Sequence, residues 1–254
     1  MTEKNIKQSY ETNPEYWRKD SPRLQGDLEQ RPRAVEMLGD VNNRHILEAG
    51  CGTGYVARIV ARKGAFVTGI DNSVKMLRIA KQIALQGSLA TTYELGDVTD
   101  ILHEDSSFEG IISVGVVHHL SPDEYQSFLK QARRVLKKDS PLVISLVHPT
   151  LFYAGSPARN DKKCSTKFHP LENKTFDQSQ RFSMELYDTL GNHFDSTMWY
   201  HPIGFLLNAV NVSGFKIKEI NEPIFRKEHR LTPAWGKAYG YPTHFQIKAT
   251  KVGW

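Results

Sequence analysis

Short apolar runs alternate with amphipathic stretches from residue 44 to residue 147. The apolar runs predict five strands, at about residues 44–49, 65–70, 91–96, 109–115 and 141–147. Between them, apolar residues recur at helical spacing, which predicts helices at about residues 54–63, at 73–86 and from Ser121 onward. Strands that alternate with helices build a parallel sheet covered on both faces, so the pattern predicts an α/β fold.

Two segments complete this core, which we place at residues 40–148. Residues 1–39 are polar with scattered aromatic side chains, so we expect an N-terminal lid that is helical in pieces. Residues 200–254 predict a helix over 202–212 and then two strands that form a hairpin at the sheet edge. The whole sheet is therefore predicted to have seven strands, to be mostly parallel and to be doubly wound.

Residues 149–199 interrupt the alternation, and we expect them to form a cap inserted after the fifth strand. The stretch 152–173 is polar, lysine-rich and without a clear period, so it predicts a loop. The arms 181–187 and 193–200 are β-prone around a turn-prone centre, which predicts a hairpin. The core does not use the lid or this cap, and both are natural covers for a substrate.

The first predicted strand runs into a glycine loop, Gly50-Cys51-Gly52-Thr53-Gly54. Glycine lets the backbone turn sharply and lets a ligand approach the main chain closely. Asp71 follows the second strand, 21 residues after Gly50, where an acidic side chain can accept hydrogen bonds from ribose hydroxyls. Together, the loop and Asp71 predict an adenosine-type ligand that lies across the first two strands.

The spacing of the glycines narrows the choice of ligand. Dinucleotide-binding loops read G-x-G-x-x-G, whereas this loop reads G-x-G-x-G and has Tyr55 where the third fingerprint glycine would stand. Glu48 precedes the loop, and a carboxylate there would oppose a pyrophosphate but suit a ligand that carries an ammonium group. The Glu-x-Gly-x-Gly-x-Gly pattern with Asp71 resembles the cofactor site of the class I S-adenosylmethionine-dependent methyltransferases.

Later segments carry the same resemblance. Residues 93–98 look like the family's third strand, whose terminal aspartate, here Asp97, meets the adenine amine, and residues 108–120 look like its fourth strand and turn. The turn before the fifth strand departs from the family, because it reads Lys-Asp-Ser-Pro instead of Pro-Gly-Gly. The resemblance implies a Rossmann-like methyltransferase fold with S-adenosyl-L-methionine as cosubstrate. The implied cofactor-binding residues are Glu48, Gly50, Gly52, Gly54, Asp71, Asn72, Asp97, Val98 and Val114.

Histidines are the candidate catalytic residues. Methyl transfer from a sulfonium carbon mainly requires alignment and exclusion of water, and a base is needed only when the acceptor arrives protonated. His119, after the fourth strand, is our first candidate for this base, and His148, after the fifth strand, is the second. Alternatively, His118 packs in the core and His119 caps the turn before Ser121.

Aromatic and histidine side chains in the lid and the cap are candidates for substrate binding. The residues assigned to this role are Tyr16, Trp17, His118, Tyr200 and His201. The lid aromatics, which also include Tyr10, either close over the methionine end of the cofactor and the substrate or anchor a helix on the core. The sequence does not separate these two alternatives.

Composition limits the partners. The chain of 254 residues has a net charge of +5 and a pI near 9.1, but its basic residues are dispersed, so nucleic acid is not expected as a partner. No apolar run approaches the roughly 20 residues that span a bilayer, and the N-terminus lacks a signal-peptide core. Cys51 and Cys164 do not suggest a disulfide framework, so a cytoplasmic location is expected. No carboxylate stands at ligand spacing beside His118-His119, so no metal is expected.

The sequence thus favours a methyltransferase that acts on an oxygen or nitrogen atom of a small molecule and produces S-adenosylhomocysteine. The alternatives are a methyltransferase that acts on RNA, protein or peptide, and a protein that binds the cofactor without catalysis. The acceptor and the oligomeric state stay open, because the pocket depends on the cap, where the resemblance is weakest.

Overall fold

The computed structural model describes residues 10–12, 14–18, 25–150, 166–168, 177–187, 193–224 and 242–253. Its strands are β1 His45–Ala49, β2 Phe66–Asp71, β3 Thr91–Leu95, β4 Gly110–Val114, β5 Pro141–Val147, β6 Thr166–Phe168, β7 Gln180–Tyr187, β8 His193–Tyr200, β9 Phe215–Asn221 and β10 His244–Lys251. Its helices are α1 Gln25–Leu28, α2 Gln30–Leu38, α3 Tyr55–Ala61, α4 Val74–Leu85, α5 Pro122–Val135 and α6 Ile203–Val212. Two 3-10 turns lie at Pro14–Trp17 and Val117–His119.

The central sheet has seven strands in the order β3-β2-β1-β4-β5-β10-β9. The first five strands pair in parallel, whereas β10 runs antiparallel to both β5 and β9. The predicted seven-stranded, mostly parallel sheet is therefore confirmed, as is the C-terminal hairpin. The strand order reverses between β1 and β4, and open α/β sheets bind ligands beyond the carboxyl ends of the strands at such a point.

Helices cover both faces of this sheet, and each face buries its own apolar cluster. The face with α5 and α6 buries Tyr125, Phe128 and Leu206, while the face with α2, α3 and α4 buries Val35, Val60 and Leu77. The helices begin where the sequence predicts: the Ser73 side chain accepts a hydrogen bond from the Met76 amide, and Ser121 forms a capping box with Glu124. None of the described helices is long and apolar enough to cross a membrane.

A buried polar network ties the start of α2 to the sheet. The Gln246 side chain in β10 donates hydrogen bonds to the Gln30 carbonyl at 2.8 Å and to the Ser145 hydroxyl at 3.1 Å. Gln30 donates from its own side chain to the same hydroxyl at 3.0 Å, and Asn221 in β9 donates to Gln246. Because buried polar atoms require such partners, this network fixes where the N-terminal helices meet the core.

A second, three-stranded antiparallel sheet has the order β6-β7-β8. The predicted hairpin is confirmed by the pairing of β7 with β8 along their whole length, from Gln180↔Tyr200 to Tyr187↔His193. The prediction of a continuous loop over 152–173 is wrong at one place, because β6 pairs with β7 there. Three polar-flanked residues are too few to show a strand period. The roles of this sheet as a cap and of residues 1–39 as a lid stay predictions.

Candidate functional site

The glycine loop leaves β1 with three residues in the left-handed region. The φ angles of Gly50, Gly52 and Gly54 are +75°, +52° and +71°. A Cβ at Gly50 would lie 2.2 Å from Cγ2 of Val116, and one at Gly54 would lie 2.4 Å from Oη of Tyr93. A Cβ at Gly52 meets only Cε of Met76, at 3.4 Å. Gly50 and Gly54 therefore serve the packing of the loop, whereas Gly52 faces space that a ligand can fill.

Asp71, at the carboxyl end of β2, holds this loop from below. Its carboxylate accepts hydrogen bonds from the Gly52 amide at 2.7 Å and from the Ser73 amide at 2.9 Å. Burial raises its pKa despite these hydrogen bonds. Two carboxylate oxygens offer about four acceptor sites, so Asp71 keeps acceptor capacity for ribose hydroxyls after it has bound the loop.

Glu48 lies under the other side of the loop and is only 3% exposed. Its carboxylate accepts a hydrogen bond from the Ala57 amide in α3 at 2.7 Å. Burial raises the pKa of Glu48 to about 8, although the charge of Arg58 opposes this shift. Arg58 is itself buried and donates to the carbonyl of Thr53 at 2.6 Å. An uncompensated buried carboxylate at this place suits a cationic ligand.

The other predicted cofactor residues follow the sheet edge toward β3 and β4. Asp97 is exposed, and one of its oxygens accepts hydrogen bonds from the amide and the hydroxyl of Thr99. Asn72 is exposed directly after Asp71, Val98 is buried, and Val114 is partly buried at the end of β4. These four residues thus line the carboxyl ends of β2, β3 and β4, and their contacts with a cofactor stay predictions.

His118 and His119 form the turn that follows β4, on the other side of the strand-order reversal. Their ring centroids are 4.2 Å apart, and His118 is 5% exposed. Burial lowers the pKa of His118 well below its usual range and lowers the pKa of His119 to about 3. Both rings are therefore neutral at pH 7. The Nε2 atom of His119 lies 3.0 Å from the phenol oxygen of Tyr10.

The two other predicted histidines are occupied by protein groups. His148 accepts a hydrogen bond at Nδ1 from the Thr150 amide at 3.1 Å, so its Nε2 carries the hydrogen and donates to Glu222 at 2.7 Å. His201 donates from Nε2 to the Leu120 carbonyl at 3.0 Å, and its Nδ1 lies 2.8 Å from the Ser179 hydroxyl. These contacts favour structural roles for both residues, whereas the proton-acceptor role of His148 stays a prediction.

The N-terminal segment reaches the site from the outside at several points. The Thr53 hydroxyl donates to the Trp17 carbonyl at 3.4 Å, and the Ser73 hydroxyl donates to the Glu11 carboxylate at 2.6 Å. The ring of Tyr10 lies 4.9 Å from the ring of Trp17. The segment therefore spans from the glycine loop and the start of α4 to His119. The side chain of Tyr16, a predicted substrate contact, lies outside the described residues.

The second sheet reaches the same region through its last strand. Tyr200 is 2% exposed at the end of β8. The ring of Trp199 stacks on that of His201, with an interplanar angle of 7° and centroids 6.2 Å apart. His201 in turn holds the Leu120 carbonyl next to the histidine turn. The structure thus brings Tyr10, Trp17, His118, His119 and His201 into one region, and their contacts with a substrate stay predictions.

Two residues near the site were missed by sequence reasoning. Glu11 binds the start of α4, and His244 lies close enough to His118 for its charge to lower the pKa of that residue. The sequence signal for His244 is its place at the start of β10, which pairs with the end of β5 in the register His244↔Val147. Among the described residues, no group of three or more His, Cys, Asp or Glu is placed to hold a metal ion.

Comparison with known proteins identifies the core. Residues 46–139 match a family model described as a methyltransferase domain. A demethylmenaquinone methyltransferase of Tropheryma whipplei is 39% identical over 129 residues, which cover 50% of this chain and 52% of that protein. The core of the chain is thus similar to the methyltransferase domains of the class I S-adenosylmethionine-dependent family. The cosubstrate of this family is S-adenosylmethionine.

Two further comparisons extend this assignment. A ubiquinone biosynthesis O-methyltransferase of Coxiella burnetii is 28% identical over 118 residues, or 46% of this chain and 50% of that protein. The chain therefore spans about half the length of the relatives it matches. The crystal structure of an S-adenosylmethionine-dependent methyltransferase from Mesorhizobium loti superposes with a TM-score of 0.61 at 20% identity, covering 87% of this chain and 96% of that one. This structure confirms the methyltransferase fold beyond the matched half.

A methyl group added at Gly52 should affect cofactor binding, whereas one added at a glycine outside the site should not. Gly52→Ala should cost about 1–2 kcal/mol of stability through its left-handed backbone, and should weaken S-adenosylmethionine binding by more than about tenfold, because its methyl group enters the ligand's space. Gly39→Ala is the matched control, since Gly39 also has a positive φ and nothing lies within 4 Å of its Cβ. Calorimetric affinity and urea unfolding measure the two effects. Equal affinity in both variants would contradict a ligand cradle at Gly52.

Burial of Glu48 makes cofactor binding pH-dependent. With a pKa of about 8, Glu48 is mostly protonated in the empty site at pH 7. A ligand ammonium group next to the carboxylate favours its ionised form, so binding should release close to one proton at pH 7 and fewer as the pH rises through 8. Calorimetry in buffers of different ionisation enthalpy measures this release. Glu48→Gln should bind more weakly and lose the release; an unchanged release would exclude Glu48 as its source.

Proposed function

We propose that this protein transfers a methyl group from S-adenosylmethionine to an oxygen or nitrogen atom of a small molecule and produces S-adenosylhomocysteine. The observation that carries the proposal is the glycine loop at the strand-order reversal, held between the buried carboxylate of Glu48 and the half-buried carboxylate of Asp71. Glu48 and Asp71 fit a ligand that has an ammonium group and a ribose, because both supply acceptors and negative charge. Neither suits the pyrophosphate of a dinucleotide.

The protein's own residues bind and enclose the reactants. The cofactor supplies an activated methyl group, so the protein mainly aligns the acceptor and excludes water. Glu48, Asp71 and Asp97 hold the cofactor along the ends of β1, β2 and β3. The histidine turn after β4 and the N-terminal segment then border the acceptor's place. Tyr10 and His119, in contact at 3.0 Å, close this place from two sides.

Enclosure favours a small acceptor over a polymer. The N-terminal segment contacts the glycine loop through Trp17 and the start of α4 through Glu11. The segment therefore covers the space beside the cofactor. The relatives in Tropheryma and Coxiella are named for demethylmenaquinone and for ubiquinone biosynthesis, which are small molecules. Both observations support a small-molecule acceptor here, and a quinone-type ring is the first class to test.

A metabolite screen that detects S-adenosylhomocysteine tests the proposal. Asp71→Asn should raise the dissociation constant of S-adenosylmethionine about ten- to a hundredfold, since a charge-assisted hydrogen bond contributes roughly 1.5–3 kcal/mol. Asparagine is preferable to alanine because it can still accept a hydrogen bond from the Gly52 or Ser73 amide. Asp139→Asn is the matched control. Asp139 lies in the turn before β5, at the amino ends of the strands, whereas the candidate site lies at their carboxyl ends.

The screen also separates the alternatives. Turnover with an isolated small molecule, retained at raised salt, supports the proposal. Turnover only with RNA, and its steep loss on adding salt, would assign a polymer substrate. Tight cofactor binding without product across oxygen, nitrogen and carbon nucleophiles would assign a binding protein. Absence of S-adenosylmethionine binding to the wild-type protein would overturn the proposal itself.

A further inference from the structure

Two neighbouring imidazoles have a buried ring nitrogen without a hydrogen-bond partner. Among the described residues, the Nδ1 atoms of His118 and His119 are both fully buried and unpartnered. Buried polar atoms are nearly always satisfied in folded proteins, and an exception calls for an explanation such as a catalytic role or a bound water or ion. His148 and His201 differ, because protein groups occupy both of their ring nitrogens. The sheet topology places a ligand only along the carboxyl ends of the strands. The two unpartnered nitrogens indicate where along that edge the methyl acceptor would bind.

The surroundings of the pair are polar but carry no fixed charge. The only described groups whose charges act on His118 are other histidines, namely His119, His244 and His201. The pKa of His119 is lowered by burial alone, so no described carboxylate supports a protonated ring. Tyr10, on the N-terminal segment, faces His119 with an uncharged phenol. A ligand here meets neutral hydrogen-bonding groups and must itself be neutral to be buried without penalty.

The contact with Tyr10 can fix which nitrogen of His119 carries the hydrogen. If Nε2–H donates to the Tyr10 oxygen, the Nδ1 lone pair is left bare for a hydrogen from a ligand. If the phenol donates to Nε2 instead, Nδ1 carries a hydrogen and cannot accept one. Only the first arrangement lets Nδ1 of His119 accept the hydrogen of a ligand hydroxyl, because in the second arrangement Nδ1–H can only donate to the hydroxyl oxygen.

We propose that the methyl acceptor is a neutral hydroxyl group whose hydrogen is held by Nδ1 of His119, and that Tyr10 is the positioning residue that keeps His119 in the accepting tautomer. This inference rests on the proposed methyl transfer and names its acceptor class. His119 touches the reacting group, so it is the catalytic residue. Tyr10 acts through His119, from a segment that the core fold does not require.

The transfer balances in atoms and charge. The acceptor oxygen forms a bond to the methyl carbon as the bond from that carbon to sulfur breaks, and the bonding pair stays on the sulfur of S-adenosylhomocysteine. The hydroxyl proton passes to Nδ1 of His119, so the positive charge moves from the sulfonium to the imidazolium. The imidazolium then releases the proton to water. A weakly basic imidazole suffices, because the methylated oxygen is a very strong acid until it loses this proton.

Other acceptor classes fit these residues less well. A protonated amine must lose a proton before it attacks. Its ordinary pKa near 10 lies far above the pKa of His119, which burial lowers to about 3, so His119 cannot take that proton. A carboxylate needs no base, but its burial requires a cation or several donors. Neither is supplied by His118, His119 or Tyr10. A hydroxyl is neutral, donates the one hydrogen that Nδ1 can accept and needs no prior ionisation.

The tautomer can be measured without knowing the acceptor. In histidine-¹⁵N-labelled protein saturated with S-adenosylhomocysteine, His119 should show a protonated Nε2 and an unprotonated Nδ1, identified through the spectrum of His119→Gln. Tyr10→Phe should give a mixture of the two tautomers. Tyr125→Phe is the matched control, since it also removes one buried phenol hydroxyl, which donates to the Leu206 carbonyl. A wild-type His119 protonated at Nδ1, or a tautomer unchanged in Tyr10→Phe, would overturn the proposal.

A panel of matched probes tests the acceptor class. Catechol, phenol and benzyl alcohol are compared with benzoate and benzylamine, with S-adenosylhomocysteine formation as readout and the Nδ1 resonance of His119 as binding readout. Hydroxyl probes alone should shift that resonance. Where a probe is turned over, Tyr10→Phe should lower kcat about 2- to 12-fold, which corresponds to the loss of one neutral hydrogen bond.

The outcomes distinguish this inference from the methyltransferase proposal. Turnover of benzylamine or benzoate in preference to every hydroxyl probe would overturn the acceptor class while leaving methyl transfer in place. A normal kcat in Tyr10→Phe would remove Tyr10 from the mechanism. Failure of the protein to bind S-adenosylmethionine would instead sink the proposed function, and the tautomer of His119 would still be readable in the free protein.

Discussion

Two carboxylates beneath one glycine loop, one buried and one half-buried, set the geometry of the site. Glu48 and Asp71 follow adjacent strands, and each needs backbone N–H groups from the chain that turns above it. The turn can present the amides of Gly52 and Ala57 only by passing through left-handed backbone angles, which glycine adopts at low cost. The negative charge of Asp71 also raises the pKa of Glu48. The site is thus short of positive charge, and the proposed cofactor, which carries a sulfonium and an ammonium group, would supply it.

The core of this arrangement was predictable because its signals are local. Helix caps at Ser73 and Ser121, the alternation of strands and helices and the glycine loop all lie within a few residues of the structure they specify. The hydrogen bonds of Gln246 and the Tyr10–His119 contact were not predictable, because their partners are far apart in the sequence. Gln246 is separated from Ser145 by 101 positions and from Gln30 by 216, and Tyr10 is separated from His119 by 109. Strand β6 was missed for another reason: it exists through its pairing with β7, not through its own three residues.

The histidines show that a position near the predicted ligand site does not by itself make a residue a catalytic base. Four of the sequence's candidates are buried in the same part of the fold, yet their ring nitrogens have different partners. His148 is held by Thr150 and Glu222, and His201 by Ser179 and Leu120. The hydrogen bond from His201 to the Leu120 carbonyl holds the end of the turn that carries His118 and His119. Which histidine can accept a proton is therefore decided by what already occupies its two nitrogens, and a sequence does not show this.

The N-terminal segment contacts the candidate site at three places. It contacts the glycine loop through Trp17, the start of α4 through Glu11 and the histidine turn through Tyr10. The contacts of Trp17 and Tyr10 each contribute about 0.5–1.5 kcal/mol, and the hydrogen bond to the Glu11 carboxylate contributes roughly 1.5–3 kcal/mol, so the three together place the segment against the core. Under the proposed function, the segment that covers the cofactor also sets Tyr10 against His119, so enclosure of the reactants and the accepting tautomer of His119 would depend on the same contacts.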